Sequence, residues 1–204
     1  MSNDKMTKKR SATLTGGLCV LALFTTACSK TGNSDMNYKA AINDHFKAAP
    51  ACIWPETKKL PAQAATSDDA KTEGYDALTQ AGLLVRTTAE KKVFIIASKQ
   101  VNNYDLSDSG KTNWTPDPNQ PGYGNFCYGT REVTSIDNST LGTNASGAKT
   151  AVVNYHYKIA NVPAWANSPG MTTAFPSIEA ALNSSSAAQA TLVMNGDQWT
   201  YSGQ

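Results

Sequence analysis

The chain has 204 residues, 40% of them hydrophobic, and its 18 Lys and Arg against 16 Asp and Glu give a formal charge of +2. So small an excess cannot make the broad positive field that supplies most nonspecific nucleic-acid affinity. Its two histidines, His45 and His156, are too far apart in sequence for the ligand spacing of a zinc site, so no metal and no cofactor is expected.

A basic head (Lys5, Lys8, Lys9, Arg10) is followed by an apolar run from Leu14 to Phe24 and by small residues ending at Ala27-Cys28. These are the three parts of an export signal, in order. The run is shorter than the ~20 apolar residues a spanning helix needs, and no later segment is long or apolar enough to span. Thr25-Thr26-Ala27-Cys28 resembles a bacterial lipobox, where a small residue precedes a cysteine that is lipidated on sulfur and becomes the new N-terminus. The resemblance implies a signal peptide over residues 1–27, lipidation of Cys28 and a polar, flexible tether over residues 28–34. Ser29 follows the cysteine instead of aspartate, which implies sorting to the outer membrane. The lipid itself would hold the protein to a leaflet, at about 0.8 kcal/mol per buried methylene. The expected location is therefore the cell envelope, on the periplasmic side.

Without residues 1–27 the chain keeps fourteen Lys and Arg against fifteen acids, so the apparent basicity belongs to the signal. Cys19 leaves with it and Cys28 takes the lipid. Cys52 and Cys127 remain as one pair in an oxidising space, and a disulfide is expected. A reactive thiol or metal ligand would need a C-x-x-C or a histidine cluster, and neither is present.

The spacing of Tyr38, Ile42, Phe46 and Ala49 predicts a helix from Asp35 to Ala49, stopped by Pro50. A second helix is predicted from a Ser67 cap to Gly82, with Tyr75, Leu78 and Ala81 on its apolar face. Leu83-Leu84-Val85 leads to a strand around Val93–Ala97 and another from Val101 to Leu106, with a charged turn at Glu90-Lys91-Lys92. Tyr104-Asp105-Leu106-Ser107 followed by Gly110 then resembles the Y-x-L-[ST]-x-x-G element that closes the wing of winged-helix proteins. That resemblance covers roughly residues 68–114 and implies a winged-helix-like half over residues 35–115. Within it, Gly110-Lys111-Thr112 copies the tail of a phosphate loop, but Asp105 stands where the first glycine is required. A short helix capped by Ser107 is expected there instead. The predicted second helix sets Asp68, Asp69, Glu73 and Asp76 against Lys71, and acids facing phosphates repel, so no nucleic-acid partner is expected.

Three prolines and a glycine between Pro116 and Gly122 predict an irregular connection over residues 116–125. Beyond it lies a β-rich half, residues 126–204. Phe126–Ile136 reads as a strand with a bulge at Gly129. Val153, Tyr155, Tyr157 and Ile159 alternate with Asn154, His156 and Lys158, which makes a strand with one buried face. A short helix is predicted after Phe175-Pro176, a surface loop over Asn183–Ala188, and a two-residue hairpin turn at Asn195-Gly196 that sets Leu192 opposite Trp199. The fold class is α+β: a winged-helix-like N-terminal half packed on a small antiparallel β-sheet, one compact unit tied by the disulfide.

Chemistry is harder to place. Gly122-x-Gly124 is followed by Cys127 where a dinucleotide fingerprint has its third glycine. Asp105, Asp108, Glu132 and Asp137 are candidate carboxylates whose distances the sequence does not fix. Trp114, Tyr123 and Tyr128 gather near the proline-rich connection, and with Trp165 they form a candidate aromatic binding surface wherever they stay exposed. The chain as a whole is similar to a family of Gram-negative bacterial lipoproteins of uncharacterised activity, through its lipobox and its Phe-Cys-Tyr-Gly and Val-Pro-x-Trp-Ala segments. The resemblance implies location and architecture. The leading expectation is a nonenzymatic envelope lipoprotein with a protein or cell-wall partner. A periplasmic carboxylate-based hydrolase and a cytoplasmic winged-helix DNA-binding regulator are the alternatives.

Overall fold

The structure, a computed structural model, describes residues 34–94 and 97–203, without the side chains of residues 93–97. The export signal, Cys19 and Cys28 lie outside the described residues. Helix α1 (Asp35–Ala48) buries Tyr38, Ile42 and Phe46 of the predicted stripe together with Ala41, while Ala49 falls just past its end. Three short strands follow, β1 (Ala51–Cys52), β2 (Lys58–Lys59) and β3 (Ala62–Ala65). None is long enough for alternation to mark it in sequence. Helix α2 (Asp69–Gln80) buries Thr72, Ala77 and Leu78 and is entered from Asp68.

Strands β4 (Leu84–Phe94) and β5 (Ala97–Leu106) pair in one register from Leu84 opposite Leu106 to Lys92 opposite Ser98. Glu90-Lys91-Lys92 therefore lies inside a strand, which corrects the expected turn. Polar residues are tolerated there because this end of the hairpin is exposed and its side chains pair with each other: Ser98 donates to Glu90 (2.7 Å) and Lys91 to Gln63 (2.7 Å). After α3 (Asp108–Asn113), β6 (Trp114–Pro116) and β7 (Tyr123–Thr143) run antiparallel to each other. Residues at both ends of the expected irregular connection thus belong to strands. Pro116 is accommodated because β6 pairs with β7 alone, so its missing N–H need not serve a second neighbour.

β8 (Lys149–Ala160) returns along β7, and a 3-10 turn (Ala164–Asn167), α4 (Pro169–Ala174) and α5 (Pro176–Asn183) lead to β9 (Ser186–Asn195) and β10 (Gln198–Gly203). Ser186, Ala187 and Ala188 pair with Tyr157, His156 and Tyr155, so the predicted loop ends sooner than its composition suggested. The last turn is also shifted. Asn195 pairs with Gln198, leaving Gly196-Asp197 as the two loop residues, and Gly196 alone takes the positive φ (61°). Trp199 then faces Met194 and Leu192 faces Tyr201. The shift is by two residues, so every side chain keeps its face, and Leu192 and Trp199 are both buried.

The architecture is α+β, with helices on antiparallel sheets. The larger sheet has seven strands, in the order β1-β7-β8-β9-β10 with β2 and β6 also on β7; the smaller has the order β3-β5-β4. The sheet expected to be small is thus the larger body, because β7 (Tyr123–Thr143) runs beyond both ends of the expected Phe126–Ile136 strand. Two cores form on it. One collects Leu60, Leu78, Leu83, Tyr104, Phe126, Met171 and Ile178. The other lies between α1 and the sheet and collects Ile42, Phe46, Val133, Val153, Tyr155, Leu192 and Trp199. Cys52 and Cys127 are cross-strand partners on β1 and β7 and are joined by a disulfide. One residue earlier on β1 the register slips between Ala51 and Cys52, opposite the Cys127–Gly129 step of β7, which is the bulge expected at Gly129.

Candidate functional site

The Tyr104–Trp114 segment forms a structural closure. Tyr104 is fully buried, and its hydroxyl donates to Asp76 (2.8 Å) while accepting from Asn102 (3.2 Å). Burial, with the Asp76 hydrogen bond beside it, pushes the Tyr104 phenol above its ordinary value. The Ser107 hydroxyl accepts from the Gly110 amide (2.8 Å), capping α3 as expected, and donates to the Gly82 carbonyl (2.6 Å). A Cβ at position 110 would drive into the Leu83 carbonyl, so this close approach requires glycine. The amide a phosphate loop would aim at its ligand is here taken by Ser107, and Lys111 pairs with Asp108 (3.0 Å).

The four rings singled out in sequence are largely drawn inward. Trp114 and Trp165 pack edge-on against the buried Phe126, with centroids 4.9 Å and 6.2 Å away, and the Trp165 indole N–H donates to Asn113 (3.2 Å). Tyr128 is buried, and burial raises its phenol pKa. Tyr123 is half-buried beside Gly122.

A different set of rings lines an open cleft of about 420 Å3: Trp54, Tyr75 and Phe175, with Lys58, Gln63 and Glu73 among the polar groups around them. Trp54 lies between β1 and β2, Tyr75 on α2 and Phe175 at the α4–α5 junction. The Trp54 and Phe175 rings meet almost at right angles (80°, centroids 6.3 Å), and Tyr75 stands 6.2 Å from Trp54. This corner is held from behind. Buried Asn125 accepts from the Trp54 amide (3.2 Å) and donates to its carbonyl (2.7 Å), while Tyr75 stacks on Tyr104 at 4.9 Å. Half-burial raises the Tyr75 phenol pKa, so the hydroxyl stays protonated at neutral pH. Gln63 is engaged by Asn103 and Lys91, and Lys71 by Asp68 (2.8 Å). Lys58 and Glu73 make no side-chain hydrogen bond or ion pair with other described residues. The volume lies in the ordinary range for small-molecule sites, and the mixture of rings with a few polar groups is their usual lining.

No protein-family model, no curated protein and no solved structure matches this chain. The cleft has to be read from its own chemistry.

The candidate carboxylates have separate engagements. Asp105 accepts from the Leu106 amide (2.8 Å), Asp108 pairs with Lys111, and Glu132 lines a cleft of about 630 Å3 with Asn43 and Lys47. Asp137 receives His156 Nδ1 (2.9 Å to one oxygen), where register slips along β7 and β8 bring the two together on the outer face. Neither of these two residues lines any of the clefts described here. Among the described residues no group of three His, Cys, Asp or Glu is placed to hold a metal, and no helix is long and apolar enough to cross a membrane. Sequence reasoning missed Trp54 and Phe175 altogether and took Tyr75 only as a packing residue. No local pattern marks the cleft, because its three rings come from three distant segments.

Proposed function

We propose that the chain is a lipid-anchored protein of the cell envelope that binds, without transforming it, a sugar-bearing component of the cell wall in the Trp54–Tyr75–Phe175 cleft. The observation that carries this reading is the perpendicular corner of Trp54 and Phe175 beside the unengaged Lys58 and Glu73. A pyranose ring has apolar C–H faces and a polar rim. One aromatic wall can cover a face while the charged side chains meet hydroxyls or an acidic substituent at the rim. A tether at Cys28 would hold the cleft close to the wall and raise its effective concentration there.

In this reading residues 35–115 carry a winged-helix-like scaffold. Supporting it are the strand order β3-β5-β4, the position of α2 between β3 and β4, and the Ser107–Gly110 closure. The acids of α2 weigh against a nucleic-acid role for it.

Two measurements test the proposal. Co-sedimentation of the purified protein with cell-wall sacculi should give saturable binding that Trp54→Ala weakens at least tenfold, about 1.4 kcal/mol. Binding indifferent to both Trp54→Ala and Phe175→Ala would remove the cleft from the account. Intact mass and fractionation should find an acylated, membrane-bound species starting at Cys28, lost in Cys28→Ala. A soluble, uncleaved chain would end the anchor reading.

A further inference from the structure

A second cleft, of about 310 Å3, opens where the C-terminal end of α1 crosses the larger sheet. His45, Phe46, Arg131, Tyr155, Tyr157 and Tyr201 enclose it: one guanidinium, one imidazole and three phenols around a single phenyl ring. No carboxylate lines it. Across β9, the small Ala188 stands opposite Tyr155 and Ala190 opposite Val153, and both belong to the cluster beneath α1. The His45 ring lies flat on Tyr201, 3.7 Å between centroids at 3°, and this stack walls one side.

Arg131 is the unusual member. It sits 5.7 Å over the Phe46 ring and donates one Nη1 hydrogen bond to the Ala49 carbonyl (3.3 Å) just past the end of α1. That contact neutralises a helix end that would otherwise repel an anion. It takes one of several N–H donors on a rigid fork whose geometry matches oxyanions. Among the described residues Arg131 has no ion pair. Asp44 and Glu132 line an adjoining cleft that shares Arg131, where Asp44 is paired with Lys47 (3.0 Å).

We infer that the Arg131 cleft binds a small oxyanion group, carboxylate or phosphate, held by the guanidinium with the Tyr157 and Tyr201 hydroxyls as further donors. A purely structural Arg131 would cap Ala49 and pack on Phe46 equally well without phenols lining the same cleft. Charge-assisted bonds to a planar, two-toothed acceptor give that edge a ligand.

The test is an NMR titration of the full chain with inorganic phosphate and, separately, acetate, at constant ionic strength. The Arg131 Nε–H and the ring protons of Tyr157 and Tyr201 should shift saturably with at least one of the two, and which one does assigns the ligand class. Arg131→Met should weaken binding at least tenfold, and Tyr201→Phe severalfold. Trp54→Ala should leave it unchanged, which separates this site from the aromatic cleft. If Arg131→Met does not fold, Arg131→Lys replaces it, keeping the charge without the fork. No saturable shift with either anion, or equal affinity in the wild type and the Arg131 variant that folds, overturns the proposal.

Discussion

The two cores differ less in composition than in where their chain segments come from. The core beneath α1 joins residues 38–46 to side chains between residues 133 and 201 on β7 to β10, so its cover and its floor are drawn from opposite ends of the described chain. The core around Phe126 does the reverse, setting the late helices α4 and α5 beside α2 and the β4–β5 hairpin. Strand β7 belongs to both: Phe126 and Tyr128 serve one core, and Val133 the other. Packing therefore divides the molecule differently from the chain order, and each core draws on both early and late segments. The lesson is that the two should rise and fall together.

The most drastic way to break that comparison is to strip the cover from one core. Replacing Tyr38, Ile42 and Phe46 together by Asp buries unpaired charge at three fully or nearly fully buried positions. The loss exceeds the ~5–15 kcal/mol by which a domain is stable. Circular dichroism should find no cooperative transition, including for the Phe126 core. A surviving transition reported by the Trp54, Trp114 and Trp165 signals would make the cores independent.

Single truncations sharpen the same point. Phe126→Ala should cost about 3–5 kcal/mol and Leu192→Ala about 2–5 kcal/mol, each shifting one common denaturation midpoint whichever core it lies in. Two separated midpoints would refute the coupling through β7. Next in size, paired Cys52→Ala and Cys127→Ala should cost about 2–4 kcal/mol, since the crosslink closes a loop with a sequence separation of 75. The readout is denaturant stability with and without reductant, and the double variant should respond to reductant no further.

The smallest effect is a shared dependence on pH. Burial is the largest cause raising the phenol pKa values of Tyr75, Tyr104 and Tyr128 in the Phe126 core and of Tyr38 under α1. A raised folded pKa means that the unfolded chain loses its phenolic protons first. Stability from these groups is complete below about pH 10 and falls as pH rises beyond it. Tyr104→Phe should lower stability at neutral pH, by removing the Asp76 and Asn102 bonds, yet flatten the decline above pH 10. Equal slopes for variant and wild type would contradict the assignment.

Much of the local structure was readable from residues. The Tyr38-Ile42-Phe46 stripe, the Ser107 cap, the Gly129 bulge and the alternation through Val153 and Tyr155 each depend on neighbours within a few positions, and the structure realises them. What escaped were features set by distant partners. β1 and β2 are two-residue strands because β7 is beside them, and the hairpin turn slides to Gly196-Asp197 because the Trp199–Met194 pairing and a single positive φ at glycine are satisfied there. Both clefts belong to this second kind. Trp54 precedes a proline and Arg131 sits among ordinary strand residues, and nothing beside either in sequence marks a lining.

The contact between α1 and β10 also bears on the timing of synthesis. Tyr38 is among the first described residues to be made, and it meets Trp199 edge-on at 5.4 Å, among the last. The Phe126 core likewise needs Met171 and Ile178. A growing chain thus has no early half to complete: the apolar stripe of α1 packs first on β7 and β8 and is fully covered only when β10 arrives. For a nascent polypeptide that leaves Ile42 and Phe46 without a sheet to lie on until β7 and β8 emerge.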